Sequence, residues 1–317
     1  MSVAEAFTPE IVAALLRCPD DGADLAAEDG DCAYACVRCD RHFPMRRANL
    51  LEVLPSARTQ RRPSSDPLVA DSIAVYERLF AEEWVEQSDP RPWGHWETLP
   101  ERMRRHYRRM RPLVDELAPA RGGVCLDISA GNGTLSLSLR DRFDVFVTAD
   151  LSVAAVNFLG AQPGTLALRC DYLRSPYRPG AFDFVLCTDT LVYGRDHEEA
   201  LLGALWSAVA PGGSALLQFH HRLHHNPLTP PVTVGYTRAE ILDMLAALRP
   251  APLVELTPFF QEFDGNLRGS GLAAIARRAF PPTRFFVTAR KPIAAAGPTH
   301  LAYTDADEVL GSDQRRR

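Results

Sequence analysis

The sequence contains no apolar run of the about 20 residues that a membrane-crossing helix needs, so no spanning helix is expected. It has no excess of positive charge: 35 Lys+Arg against 40 Asp+Glu give a net charge of -5. That argues against a protein that binds nucleic acid over its whole surface, although local basic patches remain open. The opening residues, MSVAEAFTPE, lack a basic n-region. No secretory signal is therefore expected, and the chain reads as cytoplasmic. No internal repeat is present. Cysteine is sparse outside one cluster, Cys18, Cys32, Cys36 and Cys39. In an intracellular chain such a cluster suggests a metal before a disulfide. Cys125, Cys170 and Cys187 lie in apolar strand-like runs and read as small buried hydrophobes.

What is present suffices for a large core: 317 residues, 46% of them hydrophobic. The chain divides into a cysteine unit over 1–55, a Pro/Ser/Arg-rich linker over 56–67, a helical segment over 68–120, an alternating region over 121–292 and a loose tail over 293–317. In the helical segment Met103, Tyr107, Met110, Val114 and Leu117 recur at spacings of three and four, which makes one apolar stripe. Arg104, Arg105, Arg108, Arg109 and Arg111 lie off it, and Pro112 is expected to kink or restart the helix. From residue 122 short apolar runs alternate with helical patterns: VCLDIS, DVFVTAD, LALRCD, FDFVLCTD and SALLQF. That alternation predicts a parallel sheet covered on both faces. A helix with a Thr cap in GYTRAEILDMLAAL and two strands, LVELTPFFQE and RFFVTAR, complete the pattern.

In an open parallel sheet, ligands bind beyond the carboxyl ends of the strands. The first run ends in Asp127, followed by Gly131 and Gly133 and then an apolar helical pattern. Glycine there permits positive φ and close approach of backbone to a ligand. Ser136 stands where a dinucleotide fingerprint would place its third glycine, which disfavours that fingerprint. Asp150 ends the second run, where a carboxylate suits a ribose diol, and Asp171 ends the third, where it could accept from an adenine amino group.

On these residues the chain resembles the class I S-adenosylmethionine-dependent methyltransferases. The matching stretches are Asp127-Ile-Ser-Ala-Gly131-Asn-Gly133, Asp150-Leu-Ser, Asp171-Tyr172, FDFVLCTDTLVY at 182–193 and VAPGGSALL at 209–217. RFFVTARK is similar to the family's last, antiparallel strand, and the resemblance covers roughly 120–292. It implies an α/β fold with a Rossmann-like seven-stranded sheet and helices on both faces. It also implies S-adenosylmethionine over the ends of the first strands. Asp127 with Ser129, Ala130, Gly131 and Gly133 would hold the methionine end, Asp150 with Leu151 the ribose, and Asp171 with Tyr172 the adenine. Ser129 departs from the family's frequent glycine. Thr188, Asp189 and Tyr193 follow the fourth strand and would face the transferred methyl.

The cysteine unit, a small zinc-ribbon-like β domain, resembles one that accompanies some rRNA and tRNA methyltransferases, through Cys18-Pro19, Cys36-x-x-Cys39 and NLLEVLP. Asp21 replaces the second cysteine of the usual pattern. Tetrahedral zinc takes four ligands, so Cys18, Cys36 and Cys39 need a fourth, which could be Asp21, Cys32 or His42. The alternative is a ribbon held by packing alone.

The loop QFHHRLHHNPLTPP after the fifth strand places His220, His221, His224 and His225 at the expected mouth of the site. A histidine there could serve as base or substrate contact, the loop could form a metal site for a catechol-like substrate, or it is merely polar. Tyr193 is a catalytic candidate or core packing. Trp84, Trp93, His95 and Trp96 could line a pocket for a flat organic substrate or form the core of a lid, the role that suits Trp84 better. The expected activity is methyl transfer to an O, N or C atom of a small organic molecule, within secondary metabolism. An rRNA or tRNA base methyltransferase is the rival, favoured by the cysteine unit and the arginine helix. A non-methylating scaffold or cyclase on the same fold is the third reading.

Overall fold

The computed structural model describes residues 7–28, 33–47, 49–59, 70, 73–74, 77–78, 101–131, 133, 135–193, 196–224, 234–260 and 281–293. Trp84, Trp93, His95, Trp96, Cys32, His225 and the tail lie outside them.

The alternating region forms the strands its apolar runs predict. They are β5 (Val124–Ile128), β6 (Val145–Asp150), β7 (Leu166–Cys170), β8 (Phe182–Cys187) and β9 (Val209–His220), followed by β10 (Leu253–Phe259) and β11 (Arg284–Arg290). Their order is β7-β6-β5-β8-β9-β11-β10. The first five are mutually parallel; β11 lies antiparallel between β9 and β10. Near-continuous burial along β5 and β8 follows from cover on both faces.

Helix α2 (Glu101–Leu117) covers one face. Its Met110, Val114 and Leu117 share a cluster with Phe184, Leu216 and Phe286. The helix runs through Pro112 without a break, contrary to the expected restart. Helices α4 (Glu198–Ala208) and α5 (Arg238–Ala246) bury Leu201, Leu205, Ile241 and Leu245 in the cluster on the other face. Thr237 and Glu240 close a reciprocal capping box at the start of α5, so the predicted Thr cap is present. Helix α3 (Val153–Gly160) follows β6, capped by Ser152, which accepts from the amide of Ala155.

The stretch after the glycine turn departs from the helical expectation. It forms two short 3-10 turns, Ser136–Ser138 and Arg140–Arg142. Leu135, Leu137 and Leu139 are all buried, at alternate positions. A period of two cannot form the stripe of an amphipathic α-helix.

The N-terminal unit holds α1 (Pro9–Leu15), β1 (Leu25–Ala27), β2 (Ala33–Cys36), β3 (His42–Arg47) and β4 (Leu50–Val53). The four strands pair antiparallel in sequence, and β4 then pairs parallel with β7, from Leu50 opposite Ala167 to Val53 opposite Cys170. The result is a continuous 11-stranded sheet. Without β4, β7 would present an unpaired edge. Leu15, Tyr34, Phe43, Leu51 and Val53 belong to the same apolar cluster as Leu126, Val147 and Leu168. One core therefore spans both units.

Candidate functional site

The turn after β5 is bent by left-handed backbone at three alternate positions: Ser129 at φ 54°, Gly131 at 56° and Gly133 at 64°. Positive φ at Ser129 is uncommon for a residue with a Cβ. A Cβ on Gly133 would lie 2.8 Å from Leu159 Cδ2 and 2.9 Å from Leu137 Cγ, so this position admits glycine alone. The amide of Ala130 donates to the carbonyl of Ala149 at 3.1 Å. The amide of Gly131 donates to Asp150 Oδ2 at 3.0 Å, and that of Ser152 to Asp150 Oδ1 at 2.9 Å. Asp150 thus ties the glycine turn to the end of β6. Burial holds its carboxyl above the usual range, partly offset by the amides of Ser152 and Gly131. The backbone amide of Leu151 also bonds this carboxylate, which with about four lone-pair sites still has capacity for a ligand hydroxyl.

Asp127 is buried in β5. Asp171 is buried after β7, where its Oδ1 accepts from the amide of Leu173 at 2.9 Å and caps the turn Tyr172–Arg174. Tyr172 packs partly buried against the main cluster. Leu151 offers its carbonyl to Arg169 Nε at 3.2 Å. The sequence-predicted acids therefore line adjacent strand ends at one rim of the sheet. Glu77 also reaches this rim, accepting at its carboxylate from the amides of Val153 and Ala154 at the start of α3. No sequence pattern distinguished Glu77.

Beyond β8, Thr188 is half-buried and its carbonyl accepts from Thr190 Oγ1 at 3.3 Å. The fully buried Thr190 also donates to the carbonyl of Ile128 at 3.0 Å, which anchors this turn to the end of β5. Asp189 between them has φ 58°. Its Oδ1 receives His220 Nε2 at 2.6 Å, Arg284 Nη1 at 2.9 Å and Gln218 Nε2. His220 and Arg284 are register partners on β9 and β11. Arg284 and Gln218 were not singled out in the sequence. Only the antiparallel register of RFFVTAR against QFH could have found them.

Successive residues of a strand alternate faces, so His221 points away from His220. Its Nδ1 accepts from the amide of Leu223 at 3.2 Å, and its ring lies 5.6 Å from that of Phe285. His224 falls in the turn Arg222–His224 and Tyr193 in the turn Leu191–Tyr193. The side chains of both lie outside the described residues.

In the N-terminal unit Cys18, Asp21, Cys36 and Cys39 bring one ligand atom each within 4.8 Å of one another. Cys18 Sγ lies 3.7 Å from Cys39 Sγ, and Cys36 Sγ lies 3.4 and 3.6 Å from the two oxygens of Asp21. Around a tetrahedral zinc with its usual bond lengths, sulfur–sulfur edges are about 3.8 Å and sulfur–oxygen edges about 3.6 Å. The donor set and its spacing fit zinc. The amides of Arg38 and Cys39 point at Cys36 Sγ at 3.4 and 3.5 Å, as a thiolate ligand requires. Burial pushes the Cys18 thiol up to about 12. His42 instead pairs with Glu28 at 2.8 Å, outside the group.

The unit that carries this cluster is bound to the segment after Asp171. The amide of Arg17 donates to the carbonyl of Pro176 at 2.7 Å, and that of Arg178 to Leu15 at 2.8 Å. Arg174 Nε donates to the carbonyl of Thr59 at 2.7 Å. The segment that begins at Asp171 is thereby clamped by the N-terminal unit.

A family model described as a methyltransferase domain matches residues 101–252. No curated protein matches the chain. Among solved structures, a chain from the complex of the Haloferax volcanii Trm112 methyltransferase activator with a methyltransferase is similar over 68% of this chain and 97% of that one. Its identity is 16% and its TM-score 0.49. A SAM-dependent methyltransferase of Thermotoga maritima is similar over 69% of this chain and 99% of its own, at 16% identity and TM-score 0.48. Phosphoethanolamine N-methyltransferase 2 of Haemonchus contortus is similar over 59% of this chain and 53% of its own, at 16% identity and TM-score 0.46.

Proposed function

We propose, for a chain whose residues 101–252 are a methyltransferase domain of the class I S-adenosylmethionine-dependent kind, that the acceptor is a small organic molecule. The methionine end of the cofactor lies against Asp127, Ser129, Ala130, Gly131 and Gly133, its ribose against Asp150 and Leu151, and its adenine against Asp171 and Tyr172. Thr188 borders the methyl group. The cofactor supplies an electrophilic methyl on a sulfonium, so the protein's task is largely to orient the acceptor and exclude water. The acceptor site lies beyond the ends of β8 and β9, at the rim that carries Asp189 and His220.

The observation that carries the small-molecule reading is the fate of the arginines. Arg41, Arg46, Arg111, Arg142, Arg169 and Arg284 each pair with a carboxylate of the chain itself. Together with the net charge of -5, these pairs among the described residues reduce the positive charge offered to phosphates; the side chains of Arg104, Arg105 and Arg109 lie outside the described residues. The N-terminal unit, with zinc on Cys18, Asp21, Cys36 and Cys39, has a structural role: it covers the edge of β7 and holds the segment after Asp171.

The test is incubation with S-adenosylmethionine labelled on its methyl, with ribosomal RNA in one tube and a small-molecule extract of the host in the other. Label in the organic fraction is expected. Label in RNA overturns the reading and assigns the N-terminal unit to RNA docking.

A further inference from the structure

Asp189, His220, Arg284 and Gln218 come from three different strands or their ends, yet converge on one carboxylate oxygen. An arginine–aspartate pair alone would suffice to join the end of β8 to β11. Two features exceed that need. The backbone at Asp189 is left-handed, at φ 58° in a residue with a Cβ, and such strain collects where function requires it. The carboxylate also fixes an imidazole, whose side chain is only 15% exposed.

The partner of Nε2 sets the tautomer. A carboxylate held by a guanidinium and a carboxamide accepts a hydrogen bond from the ring, so Nε2 carries the hydrogen and Nδ1 the lone pair. Among the described residues, Asp189 and Arg284 are the charged groups that meet His220 or its carboxylate partner, from the β8 turn and from β11. The imidazole of His221 is on the opposite face of β9. Thr190 ties the Asp189 turn to Ile128, one residue before the glycine turn begins. The fixed imidazole therefore stands beside the rim assigned to the cofactor.

We propose that His220 is the general base of the reaction, with Asp189 its positioning residue, and that the acceptor is a hydroxyl group, phenolic or enolic, of the small molecule. This rests on the methyltransferase reading above. A phenol ionises near 10 and is largely protonated at neutral pH, so its oxygen gains from losing its proton as it reacts. The hydroxyl oxygen forms a bond to the methyl carbon while the carbon–sulfur bond breaks and its electron pair returns to sulfur. The hydroxyl proton passes to His220 Nδ1, and the imidazolium is stabilised through Nε2–H by Asp189. Arg284 and Gln218 keep the carboxylate oriented. The product is a methyl ether, with S-adenosylhomocysteine beside it.

The first test needs no acceptor. The imidazole of His220, assigned with a His220→Gln variant, is titrated by NMR in the full-length protein saturated with S-adenosylmethionine or with S-adenosylhomocysteine. Calorimetry on the same samples verifies that both bind. The sulfonium charge disfavours the imidazolium, so His220 should titrate about half a pH unit lower with S-adenosylmethionine than with S-adenosylhomocysteine. Asp189→Asn should remove the preference for the Nε2–H tautomer. Identical titrations with both ligands bound overturn the proposal, because His220 then does not face the methyl. If neither ligand binds, the methyltransferase reading fails and takes this proposal with it. The second test uses 13C-methyl S-adenosylmethionine with the small-molecule extract. A methyl resonance in the methoxy range supports the hydroxyl acceptor, and one in the N-, S- or C-methyl range overturns it.

Discussion

Arg169 reaches Glu52 at 3.1 Å across the junction of β7 and β4, and its Nε donates to the carbonyl of Leu151 at 3.2 Å. One guanidinium thus connects the N-terminal unit to the residue that follows Asp150. Both side chains are well covered, 26% and 15% exposed, so the pair is screened less than a surface one. Glu52→Gln should weaken S-adenosylhomocysteine binding about threefold and cost about 1 kcal/mol of stability. Calorimetry and urea unfolding measure the two effects. Unchanged affinity would mean that the junction does not communicate with the cofactor rim.

The glycine turn leaves no room at its last position. Gly133→Ala should cost about 2–3 kcal/mol of stability, since the added methyl meets Leu159 and Leu137 and the backbone is left-handed. Cofactor binding should fall at least tenfold. Thermal denaturation and calorimetry read these separately, and a fully stable variant that binds normally would refute the geometry given to this turn.

Asp150 holds the turn and, in the proposed binding mode, meets the ribose. Asp150→Ala removes the acceptor of the Gly131 and Ser152 amides as well as a ligand contact. Cofactor affinity should drop by a factor of about 10–100, the effect of losing one to two charged hydrogen bonds. Wild-type affinity in the variant would remove Asp150 from the site.

The metal group predicts one zinc per chain by elemental analysis. Cys39→Ser and Asp21→Ala should each lower the zinc content or its retention against a chelator. Zinc binds thiolates, so its uptake must release the thiol protons of Cys18, Cys36 and Cys39, and affinity should rise with pH through neutrality. Chelation should also lower the thermal midpoint, since Cys18 lies beside the Leu16–Tyr177 bridge that joins the two units. A chain that folds without zinc and never takes it up would show a ribbon held by packing alone.

The interior thiols give a pH limit. Burial pushes Cys170 and Cys187 up to about 12, from an ordinary value of 9.0. Above pH 9 the unfolded chain releases protons that the folded chain retains. The unfolded state then binds fewer protons, so stability falls as pH rises from about 9 toward 12. Unfolding midpoints between pH 8 and 10.5 should decline, and Cys187→Ala should flatten the decline. A flat wild-type curve would place these thiols in contact with water.

Local pattern determined a large part of this protein. The apolar runs became β5 to β9 and β11 because a strand buried on both faces needs continuous apolar residues, while β10, at the sheet edge, alternates in burial. Thr237 with Glu240 started α5 because a side-chain oxygen can satisfy an orphan amide. The acids Asp127, Asp150 and Asp171 were legible as a set because each ends a run, and strand ends of a parallel sheet form one rim. Pattern misled where period and composition conflicted: the alternating leucines 135, 137 and 139 gave 3-10 turns. Tertiary structure alone decided the pairing of β4 with β7, the approach of Asp21 to three cysteines, and the meeting of Arg284 with His220 and Asp189. Those contacts join residues far apart in the chain through hydrogen bonds and register. No local preference specifies which distant strand a segment will pair with, so the sequence supplied the parts of the site and the folded sheet brought them together.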